Sequence, residues 1–329
     1  MTVNQMRLVD RWVGAPLTFL LTLLLWPFRL LRSSSEKPDV SRTLFMELSE
    51  MGSTLLADPA MRKLQRETGA ALYFAIFEKN AISLEILNTV EESHIFRLRS
   101  DNLFVLTVDV FRFMRWCRKH RITCTVDLEL FSRFTALLSG LSGAKDRVGF
   151  TNHHDEGLYR GRIVTLPVRY NPHIHISRNF IALVHTCLGY HTSPYATHPI
   201  SDEDLMLTHA QPSDNAFESV DKKIREMFPE FSDHRILLFN INASELLPQR
   251  RWMPERFAEL AKGMLAQYDD ILIIATGAGS EHPYVQKVVE MVDNPRFVNS
   301  CGVFQFLELI PLYYMSVMML TNDSGPMHM

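Results

Sequence analysis

Three segments in the C-terminal half combine small residues with charged ones, a pattern typical of phosphate binding. They are Asn242 to Trp252, Gly277 to Glu281, and Asn322 to His328. Small residues let phosphate oxygens approach backbone N–H groups, and a helix N-terminus adds a partial positive charge. Arg250 and Arg251 can add charge-assisted, bidentate hydrogen bonds to phosphate oxygens. Together the segments predict a site for a diphosphate.

The candidate binding residues in these segments are Asn242, Ser244, Arg250, Gly277, Glu281, Ser324, Gly325 and His328. Each also has an ordinary structural interpretation. Arg250 could be a solvated surface charge, and Glu281 could be a first-turn carboxylate that complements the helix dipole. His328 could be a loop histidine, so the prediction depends on the three segments acting together.

The elements that must position these segments are strands, because an apolar run precedes each segment. In the C-terminal half the predicted strands are Arg235–Ile241, Ile271–Thr276, Arg296–Val298 and Ser316–Thr321, with helical patterns at 254–268, 281–293 and 305–315. In the N-terminal half they are Thr43–Leu48, Ala71–Phe77, His94–Leu98, Ile122–Leu128 and Arg147–Phe150, with helices near 55–67, 81–91, 103–120, 130–139 and 177–189. This alternation predicts α/β architecture with parallel sheets, where ligands bind at the carboxyl ends of strands.

The length of 329 residues allows two domains, each with its own core. The predicted divisions are an anchor helix and linker at 1–40, a Rossmann-like domain at 41–190, a proline-rich polar connection at 191–214, and a second Rossmann-like domain at 215–329. The chain ends at Met329, directly after a glycine–proline turn that would normally open a helix. We therefore expect a truncated C-terminus.

Several site classes are disfavoured by the sequence. The net charge of -3 argues against nucleic-acid binding. The four cysteines are too widely spaced for a CxxC metal knuckle, and so few cysteines fit a reducing cytoplasm. Asp202-Glu203-Asp204 has the D-x-D form of a metal-binding motif but is interpreted as a solvated acidic run. His173 and His175 would share a strand face without a third ligand, so no metal is predicted.

The sequence GAGSEH follows a predicted strand and opens a helix, as a dinucleotide-binding fingerprint would. His282 replaces the third glycine, and the next strand ends at Asn299 rather than at an acidic residue. The fingerprint therefore fails at two positions, and no GxxxxGK(S/T) phosphate loop occurs. No cofactor is predicted.

The N-terminal run Trp12–Phe28 contains no charged residue and has arginines on both sides. As a helix its seventeen residues would rise about 25 Å, at the short end of what a bilayer core requires. Three interpretations compete: a cleaved signal peptide, a spanning helix and a monotopic insertion. The absence of a small-residue cleavage site favours a retained membrane anchor at 12–28, either spanning or monotopic.

The order of these segments resembles glycosyltransferase family 9, the ADP-heptose:lipopolysaccharide heptosyltransferases. NDSGPMH at 322–328 resembles the family's D-(S/T)-G-P-x-H loop, and RRWMPERFAELA at 250–261 resembles its K-R-W-P-x-E-R-F-A-E-L-A helix entry. Thr276, Gly277 and Glu281 match a T-G-x-x-x-E turn. In the N-terminal half, 46–65 resembles the family's opening strand, Gly-Asp turn and helix, and KDRVGF at 145–150 resembles K-x-R-I-G-F. The resemblance extends over 43–329.

The resemblance implies a GT-B fold and inverting, metal-independent sugar transfer, with a lipid-linked, lipopolysaccharide-type acceptor on the N-terminal domain. The C-terminal domain would bind a nucleotide-diphosphate sugar, with ADP-heptose as the expected co-substrate. Asp323 would contact the donor sugar, and Ser324, Gly325 and His328 its diphosphate. Arg250 takes the place of a phosphate-binding lysine, and Glu281 would face the nucleoside. We expect the enzyme at the cytoplasmic face of the inner membrane.

One position departs from the family pattern. The Gly-Asp turn carries the family's general base, and Ser53 occupies the position of that aspartate. Because a serine cannot accept the proton unaided, Glu50 or Glu47 is the substitute, while Asp58 is less suitable. Ordinary surface roles for these carboxylates are equally compatible with the sequence. A non-catalytic nucleotide-sugar-binding protein and a GT-B-fold nucleotide-sugar epimerase are therefore alternatives.

Overall fold

The structure is a computed structural model that describes residues 8–30, 37–130, 132–151, 159–190, 199–243 and 248–328. Its contacts divide the chain into two units, Met1–Thr208 and His209–Met329. We call them unit 1 and unit 2 and describe each by itself. The finer domain limits predicted from the sequence stay predictions.

Unit 1 contains a six-stranded parallel sheet in the order β3, β2, β1, β4, β5, β6. The strands are β1 (Arg42–Met46), β2 (Ala71–Phe77), β3 (Ile95–Leu98), β4 (Cys124–Asp127), β5 (Asp146–Phe150) and β6 (Leu166–Val168). The central strands are buried along almost their whole length, which explains why they are continuous apolar runs in the sequence. Helices must therefore cover both faces of the sheet.

The helices of unit 1 are α1 (Ala15–Leu30), α2 (Met51–Leu56), α3 (Asp58–Thr68), α4 (Ile82–Leu87), α5 (Leu103–His120), α6 (Arg133–Leu141) and α7 (Ile176–Leu188). A turn of π-helix, Asp10–Gly14, precedes α1. Helices α5 and α6 pack on one side of the sheet, where Phe113 and Leu138 join a core cluster with Leu44 of β1. Helices α3 and α7 contact each other as well as the sheet.

Helix α1 occupies most of the apolar N-terminal run and packs against unit 1 on one side. Leu21 and Leu25 lie against a cluster of Ala136, Leu137 and Ile163. A Cβ added at Gly140 would approach Leu21 Cδ2 to 2.7 Å, so this glycine is needed for the close contact. The run therefore includes a helix that packs closely on α6.

Within the described residues, no helix is long and apolar enough to cross a membrane. The predicted spanning helix is therefore not supported. Helix α1 has 16 residues, which rise about 24 Å, and it contains Pro27.

Unit 2 contains a four-stranded parallel sheet in the order β10, β7, β8, β9. The strands are β7 (Arg235–Asn240), β8 (Ile271–Ala275), β9 (Phe297–Asn299) and β10 (Ser316–Thr321), and the helices are α8 (Asp214–Met227), α9 (Pro254–Gln267), α10 (His282–Val292) and α11 (Leu309–Met315). Phe257 of α9 and Val285 of α10 pack with Phe239 on one side of the sheet. Helices α8 and α11 contribute to the cluster on the other side. The predicted α/β class with parallel sheets is confirmed.

Helix α2 (Met51–Leu56) includes Gly52 and Ser53, where the sequence indicated a turn, and two further elements, β6 and α8, were not predicted from the sequence. Strand β6 has only three residues, one of which is Pro167, so it carries almost no strand signal. Helix α8 buries only Val220 and Ile224 among its fourteen residues, and this sparse apolar pattern explains why the helix was missed.

Candidate functional site

The three segments of unit 2 that were predicted to bind a diphosphate follow neighbouring strands. β10 pairs with β7 and β7 pairs with β8, all in parallel, so their carboxyl ends lie at one edge of the sheet. The segments begin at Asn242, Gly277 and Asn322, within two residues of the ends of these strands. Strand order therefore brings together the residues that the sequence singled out.

Buried asparagine side chains join these segments to one another. The Asn322 amide donates to the carbonyl oxygen of Ile241 (2.7 Å) and accepts from the backbone N–H of Trp252 (3.0 Å). The Asn242 amide donates to the carbonyl oxygen of Thr276 (3.0 Å). Both side chains are buried, where an unpaired amide would be costly, so these bonds fix the relative positions of the segments.

Asn240, the last residue of β7, holds the third segment in the same way. Its Nδ2 donates to Ser324 Oγ (2.7 Å) and to Thr321 Oγ1 (2.9 Å). The side chain is buried, and sequence reasoning did not identify it. Its position one residue before a predicted strand end was the available signal.

The two arginines of the first segment have different environments. Arg250 Nε lies 3.2 Å from Asp323 Oδ2, and both side chains are about half exposed. Exposed ion pairs contribute about 0–1 kcal/mol, so a bound anion can displace this one at low cost. Arg251 instead donates twice to the carbonyl oxygen of Ala243 (3.0 and 2.6 Å) and lies over the Tyr284 ring at 5.2 Å. Arg250 is thus the arginine available to a ligand.

The second segment requires a glycine at position 277. A Cβ there would lie 2.5 Å from Asn242 Nδ2 and 2.7 Å from Cys301 Sγ. Glu281 Oε2 accepts the backbone N–H of Ala278 (2.7 Å), so one carboxylate oxygen holds the turn. This local bond leaves the predicted contact of Glu281 with a nucleoside untested.

Of the remaining predicted binding residues, the structure describes Gly325 and His328 but not Ser244. Within the described residues, no neighbouring heavy atom lies within 4 Å of a Cβ built on Gly325, so these residues leave the backbone open to approach at this point. His328 is half-buried at the end of the same segment. Ser244 lies outside the described residues.

In unit 1, the loop after β1 carries the carboxylates considered as general bases. Glu50 is exposed, and Ser53 Oγ donates a hydrogen bond to its Oε2 (2.9 Å). Glu47 is buried, and its Oε1 accepts the backbone N–H groups of Ser49 and Glu50, each at 3.3 Å. Of the two, only Glu50 offers a carboxylate to solvent. Its hydroxyl partner is the residue that replaces the family aspartate.

Sequence reasoning missed the carboxylates that follow the neighbouring strand β4. Glu129 Oε1 accepts from the backbone N–H groups of Leu48 (2.9 Å) and Ser49 (3.1 Å), so it fixes the loop after β1. Buried Asp127 forms an ion pair with Arg160, whose Nη1 also donates to the carbonyl oxygen of Glu129 (2.9 Å). Since β1 pairs with β4, these groups lie beside the Glu47–Glu50 loop.

Burial raises the pKa of several of these carboxyls. The pKa of Glu47 is well above its usual range because of burial, with repulsion from Glu129 and Glu50 adding to the shift. Burial also raises the pKa of Glu129, with a contribution from Asp127. The pKa of Asp127 is raised by burial despite the opposing effect of Arg160. The cluster therefore keeps protons to higher pH than ordinary carboxyls do.

Two other carboxylates have structural partners. Asp58 is buried at the start of α3, where Arg62 Nε lies 2.7 Å from its Oδ2, so it is engaged in an ion pair. Asp204 is also buried and lies 3.0 Å from both Lys63 Nζ and Arg66 Nη2. The interpretation of 202–204 as a solvated acidic run was therefore wrong for Asp204. In the described part of the chain, no three His, Cys, Asp or Glu side chains form a group able to hold a metal ion.

Comparisons with known proteins identify a family for this chain. The profile of the family described as glycosyltransferase family 9 (heptosyltransferase) matches residues 130–329. A search of curated protein sequences finds no match.

Among solved structures, the chain is similar to a family 9 glycosyl transferase from Veillonella parvula, with a TM-score of 0.72 and 18% identity, covering 90% of this chain and 79% of that one. It is also similar to E. coli ADP-heptose lps heptosyltransferase II, with a TM-score of 0.65 and 18% identity, covering 87% of this chain and 80% of that one. A third similar structure is E. coli heptosyltransferase WaaC with ADP-2-deoxy-2-fluoro heptose, with a TM-score of 0.61 and 14% identity, covering 87% and 84%. At these identities the structures show a shared fold.

Proposed function

This chain belongs to glycosyltransferase family 9, and we propose that it transfers heptose from a nucleotide-diphosphate donor, ADP-heptose, to a lipid-linked glycan acceptor of the lipopolysaccharide type. The observation that carries the proposal is the joining of three loops at one edge of the unit 2 sheet. The exposed Arg250–Asp323 pair lies among these loops. The proposed transfer inverts the anomeric centre and uses no metal.

On the donor side, we propose that the diphosphate displaces Asp323 from Arg250. Arg250 then binds phosphate oxygens, while the released Asp323 carboxylate contacts the sugar. Backbone and side-chain groups of Ser324, Gly325 and His328 complete the diphosphate site. The positive charge of Arg250 stabilises the departing nucleotide diphosphate, as a metal ion does in other transferases.

The other donor residues are proposed to shape the site. Gly277 allows close packing at the second loop, and Asn242 holds that loop to the first. Glu281 is proposed to face the nucleoside through the oxygen that the Ala278 N–H does not occupy. Ser244 is retained as a predicted donor contact.

On the acceptor side, we propose Glu50 as the general base. Its carboxylate takes the proton of the acceptor hydroxyl as that oxygen forms a bond to the anomeric carbon. The bond from this carbon to the diphosphate oxygen breaks, and the electron pair leaves with the nucleotide diphosphate. In-line attack inverts the carbon. The 2.9 Å hydrogen bond from Ser53 supports the proposal because it orients Glu50 where the family has its aspartate.

We also propose that the protein works at the cytoplasmic face of the inner membrane. Helix α1 exposes Leu24 (69%) and Trp26 (58%), and the turn of π-helix before it exposes Trp12 (71%). Such side chains suit a helix that lies in the membrane interface, which is the monotopic arrangement considered from the sequence.

The replacement of the family aspartate by Ser53 favours one second candidate, a non-catalytic protein that binds a nucleotide sugar. Binding and turnover distinguish the two. We expect ADP-heptose to raise the melting temperature of the full chain and to be consumed when a lipid-linked acceptor lacking its terminal heptose is added. Stabilisation without consumption would support the non-catalytic alternative. No stabilisation by any nucleotide sugar would contradict both.

A further inference from the structure

Helix α5 has an exposed face that the proposed reaction does not use. Its exposed residues are Leu103, Phe104, Thr107, Val108, Phe111, Arg112, Arg115, Arg118 and Lys119. The first five include four apolar side chains and occupy the N-terminal half of the helix. The last four are all basic and occupy the C-terminal half. The face is thus divided into an apolar part and a cationic part.

The spacing of these residues places them in one stripe. At about 100° per residue, Phe104, Phe111, Arg115 and Arg118 fall within roughly 60° of one another around the helix axis. They extend over about 21 Å along it. The opposite side of α5 is buried, with Phe113 and Cys117 in the unit 1 core. The stripe therefore points away from the protein.

The basic part of the stripe carries a net positive charge. No ion pair joins Arg115, Arg118 or Lys119 to a carboxylate within the residues that the structure describes. The helix has a single acidic residue, Asp109, which is fully buried and paired with Arg99 (2.6 Å) and Arg112 (2.8 Å). An occupant of this face must therefore tolerate or complement positive charge.

The apolar part is exposed to an unusual degree. Phe104 is 78% exposed and Phe111 is 65% exposed, with Leu103 and Val108 beside them. Contiguous exposed apolar side chains mark interaction surfaces. An aromatic and aliphatic patch that continues into basic residues suits a lipid interface, where rings enter the headgroup region and cations meet anionic headgroups.

We propose that this face of α5 binds the surface of a bilayer that contains anionic phospholipid. A second copy of the same face fits less well, because the only carboxylate on α5, Asp109, is buried and already paired, so the copy would offer the basic residues no counter-charge. The helix begins after the carboxyl end of β3, and therefore at the sheet edge that carries Glu50 and Glu129. The apolar end of the stripe thus lies at the edge where the proposed function has the acceptor bind.

The test is cosedimentation of the full chain with phosphatidylglycerol vesicles and with phosphatidylcholine vesicles. The wild type is expected to bind the anionic vesicles more tightly, and added salt should weaken that preference. The charge variant Arg115→Glu/Arg118→Glu should bind phosphatidylglycerol roughly twentyfold more weakly, since each basic residue near an anionic surface contributes on the order of fivefold. The apolar variant Phe104→Ser/Phe111→Ser should bind both vesicle types more weakly.

Matched controls lie on exposed positions of unit 2. Lys222→Glu on α8 and Met291→Ser on α10 change charge and apolar surface without touching the stripe, and they should leave vesicle binding unchanged. Circular dichroism checks that each variant is folded. Light scattering without vesicles measures self-association. A stripe variant that loses self-association but retains vesicle binding would overturn the proposal in favour of a second copy.

Equal vesicle binding by the wild type and both stripe variants would also overturn the proposal. So would equal binding of the wild type to both vesicle types. The link between this face of α5 and a lipid-linked acceptor rests on the proposed function. Vesicle binding itself requires no turnover and can be measured independently. If heptose transfer fails while the charge variant still loses vesicle binding, only the proposed function is refuted. If transfer succeeds while vesicle binding does not change, only the membrane surface is refuted.

Discussion

The candidate donor loops of unit 2 and the loop after β1 in unit 1 are held in place by different kinds of hydrogen bond. In unit 2, the ligand loops are joined by neutral amides, those of Asn240, Asn242 and Asn322, while the charged Arg250 and Asp323 stay half exposed. In unit 1, the loop after β1 is held by buried carboxyls, and only Glu50 is exposed. Hydrogen bonds between neutral amides do not depend on a nearby charge. Buried carboxyls, in contrast, make the free energy of unfolding depend on pH.

The largest expected effect tests the proposal that Glu50 of unit 1 accepts the proton of the acceptor hydroxyl. Glu50→Gln should lower kcat about 100-fold or more, because it removes the proposed base while keeping the size of the side chain. The KM for donor should change little. Steady-state kinetics with both substrates measure these values, and Glu91→Gln, a change at another exposed glutamate, is the control.

Ser53→Ala sharpens this prediction. It removes the hydrogen bond to Glu50 but leaves the carboxylate, so we expect a loss of only a few-fold in kcat, in line with the modest strength of one such bond. A Glu50→Gln variant with unaltered kcat would contradict the role of Glu50.

The next prediction concerns the amide bonds of unit 2. Asn322→Asp should reduce the free energy of unfolding by about 2 kcal/mol, because the buried carboxylate cannot donate to the Ile241 carbonyl and is repelled by it. Urea unfolding of the full chain measures the change. Asn294→Asp is a matched control, because the Asn294 side chain accepts a hydrogen bond from Arg296 N and an aspartate can still do so. Equal stability of the two variants would refute the account of Asn322.

A smaller effect is expected for Arg250→Ala. The KM for ADP-heptose should rise about tenfold, with a decrease in kcat, because the variant loses one charge-assisted hydrogen bond to phosphate. Arg250→Lys should retain much of the activity, since it restores the residue type of the family. Arg256→Ala, which breaks an exposed pair with Glu259 on α9, should leave donor kinetics unchanged. Unchanged kinetics in Arg250→Ala would remove Arg250 from the donor site.

The smallest expected effect is on stability in unit 1. The pKa of Glu47 is raised in the folded state. The free energy of unfolding therefore falls as pH rises from the pKa of this carboxyl in the unfolded chain to its pKa in the folded protein. Glu47→Gln should therefore raise the free energy of unfolding at pH 7.5 by about 1 kcal/mol and have little effect at pH 4. Urea unfolding at both pH values checks the sign. A variant that is destabilised at pH 7.5 and unchanged at pH 4 would show that Glu47 is charged and well paired in the folded state, and would contradict the prediction.

The sequence was sufficient to predict the strands and the three loops of unit 2, because each loop follows a buried apolar run. It was not sufficient to find Asp127, Glu129 and Arg160. These residues meet the Glu47–Glu50 loop only because β4 pairs with β1, and strand order does not follow from spacing along the chain. Likewise, the Arg250–Asp323 pair joins residues far apart in sequence.

The contacts of the N-terminal apolar run also could not be predicted from the sequence. Its apolar composition indicated a membrane helix, but composition does not reveal which side of a helix contacts protein. Gly14 and Gly140 allow α1 to pack closely on unit 1, and Asp10 accepts N–H groups at the start of α6. These contacts could be recognised only once α6 had been located.

The proposed transfer of heptose from ADP-heptose to a lipid-linked acceptor has one most direct test. The full chain is incubated with labelled ADP-heptose, with and without an acceptor that lacks its terminal heptose. We predict that label enters the lipid-linked product only when both substrates are present, and that Glu50→Gln slows this transfer without abolishing donor binding. Absence of labelled product from a chain that binds ADP-heptose would contradict the claim.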